Sequence, residues 1–402
     1  MSVVTANDVE KADGVLLLAA GDVITPLARD RAKELGVRLE RGPSIAAPSS
    51  AGAPERMQPL PRATATTAPP ASPPRSGALY RRGAYGLDGR RSATSRPVLA
   101  IVGAGHVGAA SATRLADTDL FEELRLIDVV DGLAAGLALD IWHGASLRGF
   151  TTNVSGGTDL GRVAGADIVV VTAGRARTPG MSRTDLTVAN AEIVRGIGHA
   201  IRTSAPDATV VVVTNPLEEM TELMCRVTGF PPERVIGMGG ILDTARFRSL
   251  VAASGSARPQ DIDAIVLGSH GAEMVVPLSR AFANGVPLED VLSADALAEI
   301  VKRTRESGAE VTALLKVGSA YVSPGSSIAR HVEAMVRGSD EILPACVRSR
   351  GAFGTTDTRV GLPVRLGPRG LREIVPIPLR DDEVRALRAS ADAIDARIRR
   401  LA

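Results

Sequence analysis

From residue 97 onward the sequence predicts a doubly wound α/β domain that runs on into an α+β lobe. Three observations carry this. Apolar strand-like runs alternate with helical patterns from Val98. Two of those runs, residues 167–172 (DIVVVT) and 209–214 (TVVVVT), are almost wholly β-branched. The first run ends in a glycine-rich turn. Continuous β-branched runs without polar alternation suit parallel strands covered by helices on both faces.

The elements follow in order. Residues 15–18 read as a short strand, 25–35 as a helix opened by Thr25 with Pro26 in its first turn, and 37–39 as a second strand. Ile24, Leu27, Ala28 and Leu35 are expected on one apolar face, making residues 1–42 a small amphipathic module. Residues 43–76 hold nine of the chain's 25 prolines, separated mostly by Ala, Ser and Thr. Such a stretch cannot bury enough apolar surface to offset its ordering entropy, so 43–96 reads as a linker. Then come a strand at 98–102, a helix to about 116, a strand at 124–127, a helix at 133–142, the two β-branched strands and a helix at 186–202 between them. The spacing divides this region into a doubly wound domain, 97–240, and an α+β domain, 241–402. The chain closes on a helix over 382–401, with Val384, Leu387, Ala391, Ile394 and Ile398 at helical spacing.

Composition narrows the function. Of 402 residues 45% are hydrophobic but only 2% aromatic, which calls for an aliphatic core, and a net charge of +2 points to neither nucleic acid nor a membrane surface as partner. The two cysteines, Cys225 and Cys346, form no CxxC pair, which fits a reducing compartment. The first apolar run, 14–20, follows Glu10, Lys11 and Asp13 and is too short for a membrane span or a secretory signal, so a cytoplasmic protein is expected. No spacing of His or Cys suggests a metal.

The run Val98-Leu-Ala-Ile-Val-Gly-Ala-Gly-His-Val-Gly108 is a strand entering GxGxxG. Gly103 permits the tight turn, Gly105 lets backbone approach a pyrophosphate, and Gly108 allows close packing of helix on strand. The helix beyond offers oriented N–H groups to that anion. Asp128, 20 residues after Gly108, stands at the end of the next strand, where a carboxylate binds both ribose hydroxyls and repels a 2′-phosphate. This is a Rossmann arrangement with NAD as its cofactor. Of the five histidines, His270 is singled out by its setting in Gly268-Ser-His-Gly271, a glycine-flanked turn that exposes an imidazole for proton transfer. Asp243 is the candidate carboxylate that fixes its tautomer.

In this order, GAGHVG, LIDVVDGLAAGLALD, VTAGRARTPGMSRTDL, VTNPLE, RVIGMGGILDTARFR, GSHGAEMVVPLSR and LLKVGSAYVSP resemble the lactate/malate dehydrogenase family across about 300 residues, most of all its lactate-dehydrogenase-like malate dehydrogenase branch. The resemblance implies that His270 is the proton donor and acceptor, Asp243 its partner, and Arg246 the group that grips the substrate's C1 carboxylate. It further implies that Asn215 hydrogen-bonds substrate and the nicotinamide side of the pocket, and that Arg183 polarises the substrate carbonyl from a mobile loop. Arg177, six residues before Arg183, falls where the family discriminates malate from lactate, and a buried second carboxylate calls for such a cation. Ala320 leaves room opposite. The cofactor set is Gly103, Gly105, His106, Val107, Gly108, Asp128, Thr172, Ala173, Gly174, Asn190, Val213 and Asn215. His106 on its own residue setting reads as a solvent-facing or packing side chain.

These readings describe an NAD-dependent oxidoreductase of the tricarboxylic acid cycle that interconverts (S)-malate and oxaloacetate. Cofactor binds first, and the loop from about residue 174 to 186 then closes. The other readings are a lactate or other 2-hydroxy acid dehydrogenase, which Arg177 disfavours, and a dehydrogenase-fold scaffold subunit. A homodimer or homotetramer is implied. The segment DVITPLARDRAKELGV also resembles N-terminal segments of bacterial microcompartment proteins, which implies a docking role for the first module. Two positions depart from the family pattern: Thr178 replaces a common Lys, and Ala272 replaces the usual Asp after the His-Gly pair, with Glu273 next to it.

Overall fold

The computed structural model describes residues 3–4, 6–18, 22–24, 26–41, 96–175 and 183–401. They fall into two compact units, one within Met1–Pro73 and one within Pro74–Ala402. Nearly all of the predicted linker, and the predicted site residue Arg177, lie outside the described residues.

In the first unit the strand Val15–Leu18 pairs in parallel with Arg38–Arg41, and Val3–Val4 with Val23–Ile24. The helices Ala6–Glu10 and Pro26–Leu35 accompany them. Its core is Val9, Ala28, Ala32 and Val37. Leu35, expected on the apolar face, is instead 48% exposed. Ala28 and Ala32 are one turn apart and fill the face against the first helix, which leaves Leu35 at the far end of its helix without a partner layer.

The second unit is built on one sheet of eleven strands among the described residues. Its strands are β1 (Val98–Val102), β2 (Glu123–Ile127), β3 (Asn153–Gly157), β4 (Ile168–Val171), β5 (Thr209–Val212), β6 (Val235–Gly237), β7 (Leu267–Gly268), β8 (Met274–Val275), β9 (Leu343–Arg348), β10 (Arg359–Gly367) and β11 (Gly370–Ile374). The first six are parallel in the order β3-β2-β1-β4-β5-β6, the doubly wound order. Period-2 alternation serves both faces. Leu99 and Ile101 enter one apolar cluster, Ala100 and Val102 the other. The helices α1 (His106–Asp117), α2 (Leu133–His143), α3 (Arg183–Ser204) and α4 (Leu217–Thr228) connect these strands.

The sheet does not stop where the sequence pattern changes. β6 pairs antiparallel with β9 through Gly237 and Cys346, and β9, β10, β11, β7 and β8 continue it with antiparallel pairing. The helices of this half are α5 (Ile241–Ala253), α6 (Ala294–Leu315), α7 (Val322–Arg337) and α8 (Asp381–Ile398). A small sheet joins Ile262–Asp263, Phe282–Ala283 and Val286–Pro287. In α8, Leu387, Ala391, Ile394 and Ile398 are buried as their spacing predicts, while Val384 is half-buried. Among the described residues no helix is long and apolar enough to cross a membrane.

Candidate active site

The glycine turn sits between the carboxyl ends of β1 and β4, where the winding of the sheet reverses. Gly103 has φ of +106°, and a Cβ there would lie 2.5 Å from the backbone N of Ala173. A Cβ on Gly108 would come within 1.9 Å of the Gly103 carbonyl oxygen, so α1 can approach β1 only without one. Gly105 differs: a Cβ there would meet nothing within 4 Å. It marks the open side of the turn, at the N-terminus of α1. That combination of a tight turn, open space and a free helix N-terminus fits the pyrophosphate of a dinucleotide.

Second residues lock the turn. Thr172 Oγ1 donates to the Gly103 carbonyl at 2.8 Å, and the Ala104 N–H donates to Asp128 Oδ2 at 2.7 Å. Asp128 Oδ1 accepts from the Val130 N–H at 3.0 Å. The carboxylate is therefore oriented by backbone at the end of β2. His106 is exposed at the first position of α1, its ring 5.1 Å from that of Tyr321. The contact brings Tyr321, the residue after Ala320, to the first turn of α1. Val107 is half-buried behind it.

Asn190, buried on α3, has its amide engaged with backbone. Oδ1 accepts from the Arg175 N–H at 2.7 Å, while Nδ2 donates to the Asn215 carbonyl at 2.7 Å and the Arg175 carbonyl at 3.3 Å. It thus ties the base of the loop that follows Gly174 to the segment that carries Asn215. Thr214 Oγ1 donates to the Ala173 carbonyl at 2.7 Å and reinforces the same junction. Asn215 is exposed, Val213 half-buried, and the Asn215–Pro216 peptide is cis. Arg183 begins α3, next to the segment outside the described residues that contains Arg177.

Opposite this junction, α5 and the turn after β7 converge. Asp243 and Arg246 share one face of α5 because they are three residues apart. Gly268, at φ of +80°, and Gly271, at +154°, bracket His270 in a turn that β-branched residues could not adopt. His270 Nδ1 lies 2.8 Å from Asp243 Oδ2, and Arg246 Nη1 donates to Asp243 Oδ1 at 3.2 Å. With Nδ1 occupied, Nε2 is the ring nitrogen available for proton transfer. Attraction to Asp243 raises the His270 pKa above the ordinary imidazole value against the opposing effect of burial, with Glu218 adding to the rise. Burial alone would raise the Asp243 carboxyl, but His270 and Arg246 together hold it below the usual range.

Sequence reasoning missed Glu218 and Glu219. Both are buried in the first turn of α4, and the His270 backbone N–H donates to Glu218 Oε1 at 2.6 Å. Burial pushes the Glu218 carboxyl up, offset in part by that hydrogen bond. Two adjacent acids at a helix start ordinarily signal a solvated face. The one available clue was their place just beyond the Asn-Pro pair, separated from it by Leu217 alone.

Residues 98–237 match the family model described as lactate/malate dehydrogenase, NAD binding domain, and residues 241–402 match its alpha/beta C-terminal domain. The chain belongs to the lactate/malate dehydrogenase family. It is 41% identical over 296 residues to the malate dehydrogenase of Chloroherpeton thalassium, covering 74% of this chain and 96% of that one. To the malate dehydrogenase of Synechocystis it is 43% identical over 296 residues, covering 73% and 90%. Among solved structures, the apo malate dehydrogenase of Picrophilus torridus superposes with a TM-score of 0.73 at 36% identity, covering 76% of this chain and 97% of that one. The Cryptosporidium parvum lactate dehydrogenase solved with lactic acid and nicotinamide adenine dinucleotide gives 0.73 at 30% identity, covering 76% and 98%. Ala272, where the sequence reading expected an acid, is exposed, while its half-buried neighbour Glu273 accepts from Arg397 Nη1 at 3.4 Å.

Proposed function

We propose that the chain is an NAD-dependent malate dehydrogenase that interconverts (S)-malate and oxaloacetate. The observation that carries this reading is the His270–Asp243 pair, 2.8 Å apart, with Arg246 on the same helix face. The glycine turn would hold the cofactor, which in its reduced form would supply a hydride to C2 of oxaloacetate and in its oxidised form would accept one from C2 of malate.

The chain's own residues do the rest. His270 Nε2 gives the proton to the nascent alkoxide during reduction and takes it back during oxidation. Asp243 holds the imidazole in the tautomer with hydrogen on Nδ1 and supports its charged form. Arg246 presents a guanidinium fork to the C1 carboxylate, and Asn215 offers an amide to the substrate oxygen. Arg183, at the start of α3, polarises the carbonyl, and Arg177, six residues earlier in the sequence, pairs with the second carboxylate, with Ala320 leaving room opposite. Asn190 acts through the loop base and Asn215, so its cofactor role is one of placement. Closure of that loop excludes water and strengthens each charge contact. The cofactor half is 97–240 and the substrate half 241–402.

The same reading makes the protein a cytoplasmic homo-oligomer, dimer or tetramer. Supporting this are Leu139, Trp142 and Leu147, exposed at 54%, 42% and 82% on α2 and just beyond it. A cleft of about 770 Å³ between α5 and α7, lined by Ile241, Val322 and Pro344 together with Arg248, Arg330 and Glu341, offers a second copy both apolar and charged contacts. The first 42 residues then serve as a tethered module for docking to another protein.

The test is NADH oxidation by purified protein with oxaloacetate and with pyruvate, for wild type and Arg177→Gln. Strong preference for oxaloacetate, eroded by the substitution, is the expected outcome. Equal use of both keto acids would overturn the malate assignment, and reduction of neither by protein that binds NADH would favour the scaffold reading.

A further inference from the structure

The turn that carries His270 is held from behind by the chain's last helix. Arg397, near the end of α8, reaches three side chains on two other elements. Nε donates to Glu219 Oε1 at 3.0 Å, Nη1 to Glu273 Oε1 at 3.4 Å, and Nη2 to Ser269 Oγ at 3.3 Å. The guanidinium is 19% exposed and Glu219 only 5%. Two turns earlier on α8, Ser390 Oγ accepts from the Ser269 backbone N–H at 2.9 Å. The fit is close: a Cβ on Gly268 would lie 2.9 Å from that same hydroxyl oxygen. Residues 268, 269 and 273, on both sides of His270, are therefore registered against α8. From the other direction, the His270 N–H is taken by Glu218, next to Glu219 on α4.

We infer that Arg397 and Ser390 are positioning residues for His270: α8 clamps the turn 268–273 so that the imidazole meets Asp243 and substrate in one fixed orientation. The inference rests on the reading of His270 as the proton donor. It also explains how the turn does without the acid expected at position 272. Ala272 has no group to anchor the turn, whereas Glu273 is drawn inward by Arg397, an anchor supplied by a residue more than a hundred positions later. Glu219 Oε2 and Glu273 Oε2 are buried with no hydrogen-bond partner among the described residues, so the guanidinium is what offsets both charges. A guanidinium presents five donors in a rigid planar fork that reaches three separated acceptors at once, whereas an ammonium holds its three donors on one nitrogen.

The experiment uses the full chain as Arg397→Met, Arg397→Lys and Ser390→Ala. Three quantities are read: kcat and KM with oxaloacetate, the isotope effect with NADH deuterated at the transferred hydrogen, and amide hydrogen exchange across 268–273 relative to 209–212. Arg397→Met is expected to lower kcat by about tenfold or more, since small misplacements of a reacting group are costly. NADH affinity should stay within about twofold, the isotope effect on kcat should rise, and exchange should quicken at 268–273 alone. Arg397→Lys falls between, and Ser390→Ala shifts the same way by less. Should Arg397→Met fail to fold, the other two variants decide. The inference is overturned if these lose thermal stability while isotope effect and turn exchange match wild type. If wild type reduces no oxaloacetate, the malate reading fails, and turn exchange by itself decides whether the clamp exists.

Discussion

Asp243 is shared between an imidazole and a guanidinium that come from different parts of the fold. One oxygen lies 2.8 Å from His270 Nδ1 and the other accepts from Arg246 Nη1 at 3.2 Å. A carboxylate that is almost fully buried is tolerated there because both oxygens are paired. The arrangement couples the proton-transfer group to the group that grips substrate, through a single rigid turn of α5.

Asp243→Asn keeps the shape and removes the charge. The attraction that raises the His270 pKa is then lost. Reduction of oxaloacetate needs the imidazolium, so kcat/KM should be flat at acid pH and fall as pH rises through the raised value. In Asp243→Asn that fall should move to lower pH, and the plateau should drop by about 10²-fold or more. Malate oxidation, which needs neutral imidazole, should show the mirror-image profile. An inflection that stays in place in the variant would mean that Asp243 does not set the charge of His270.

Gly105 and Gly108 should separate ligand approach from packing. Gly108→Ala forces a Cβ to within 1.9 Å of a carbonyl oxygen, so both folding stability and NADH affinity should fall, the former by the ~1–3 kcal/mol of overpacking. Gly105→Ala meets nothing within 4 Å of protein, so Tm should hold. NADH affinity, measured by fluorescence titration, should nevertheless drop tenfold or more, because the methyl group projects where the pyrophosphate approaches. An unchanged affinity in Gly105→Ala would place the cofactor elsewhere.

Much of this was legible because short-range chemistry decides it. β-branched runs made β4 and β5, the glycine spacing made the turn between β1 and α1, and Gly-Ser-His-Gly marked the exposed imidazole. Longer-range choices were not legible. β3, Asn153–Gly157, is rich in Ser and Gly and forms a strand only because the edge of β2 offers it a ladder. Glu219 is buried against α8, whose Arg397 lies 178 residues beyond it in sequence, Glu218 is covered by the His270 turn 52 residues on, and no local pattern announces such pairings. In the first unit the sequence favoured Leu35 for the core, but which face a helix buries depends on the layer it meets, and Ala28 and Ala32 meet it.

Deleting residues 1–96 should leave turnover almost untouched. Residues 1–73 and 74–402 are separate compact units, and the family match begins only at residue 98. Steady-state assays of the truncated chain should give kcat and KM for oxaloacetate within about twofold of the full chain. A large loss of kcat would mean that the extension belongs to the catalytic unit.

His331 should make stability depend on pH far from the site. It is wholly buried on α7, with Nε2 donating to the Pro344 carbonyl at 2.9 Å. Burial lowers its pKa to about 4, from an ordinary 6.5. Well above pH 6.5 the ring is neutral in both folded and unfolded chains and contributes no pH dependence. As pH falls below 6.5 the unfolded chain binds a proton that the folded one refuses until about 4. The native state should lose up to ~3 kcal/mol across that interval, the unfolded state holding the extra proton. His331→Gln can keep an N–H donor for Pro344 without titrating. Urea unfolding from pH 7 to 4 should therefore show a steeper loss in wild type than in His331→Gln, and parallel curves would mean that His331 is protonated as readily in the fold as outside it.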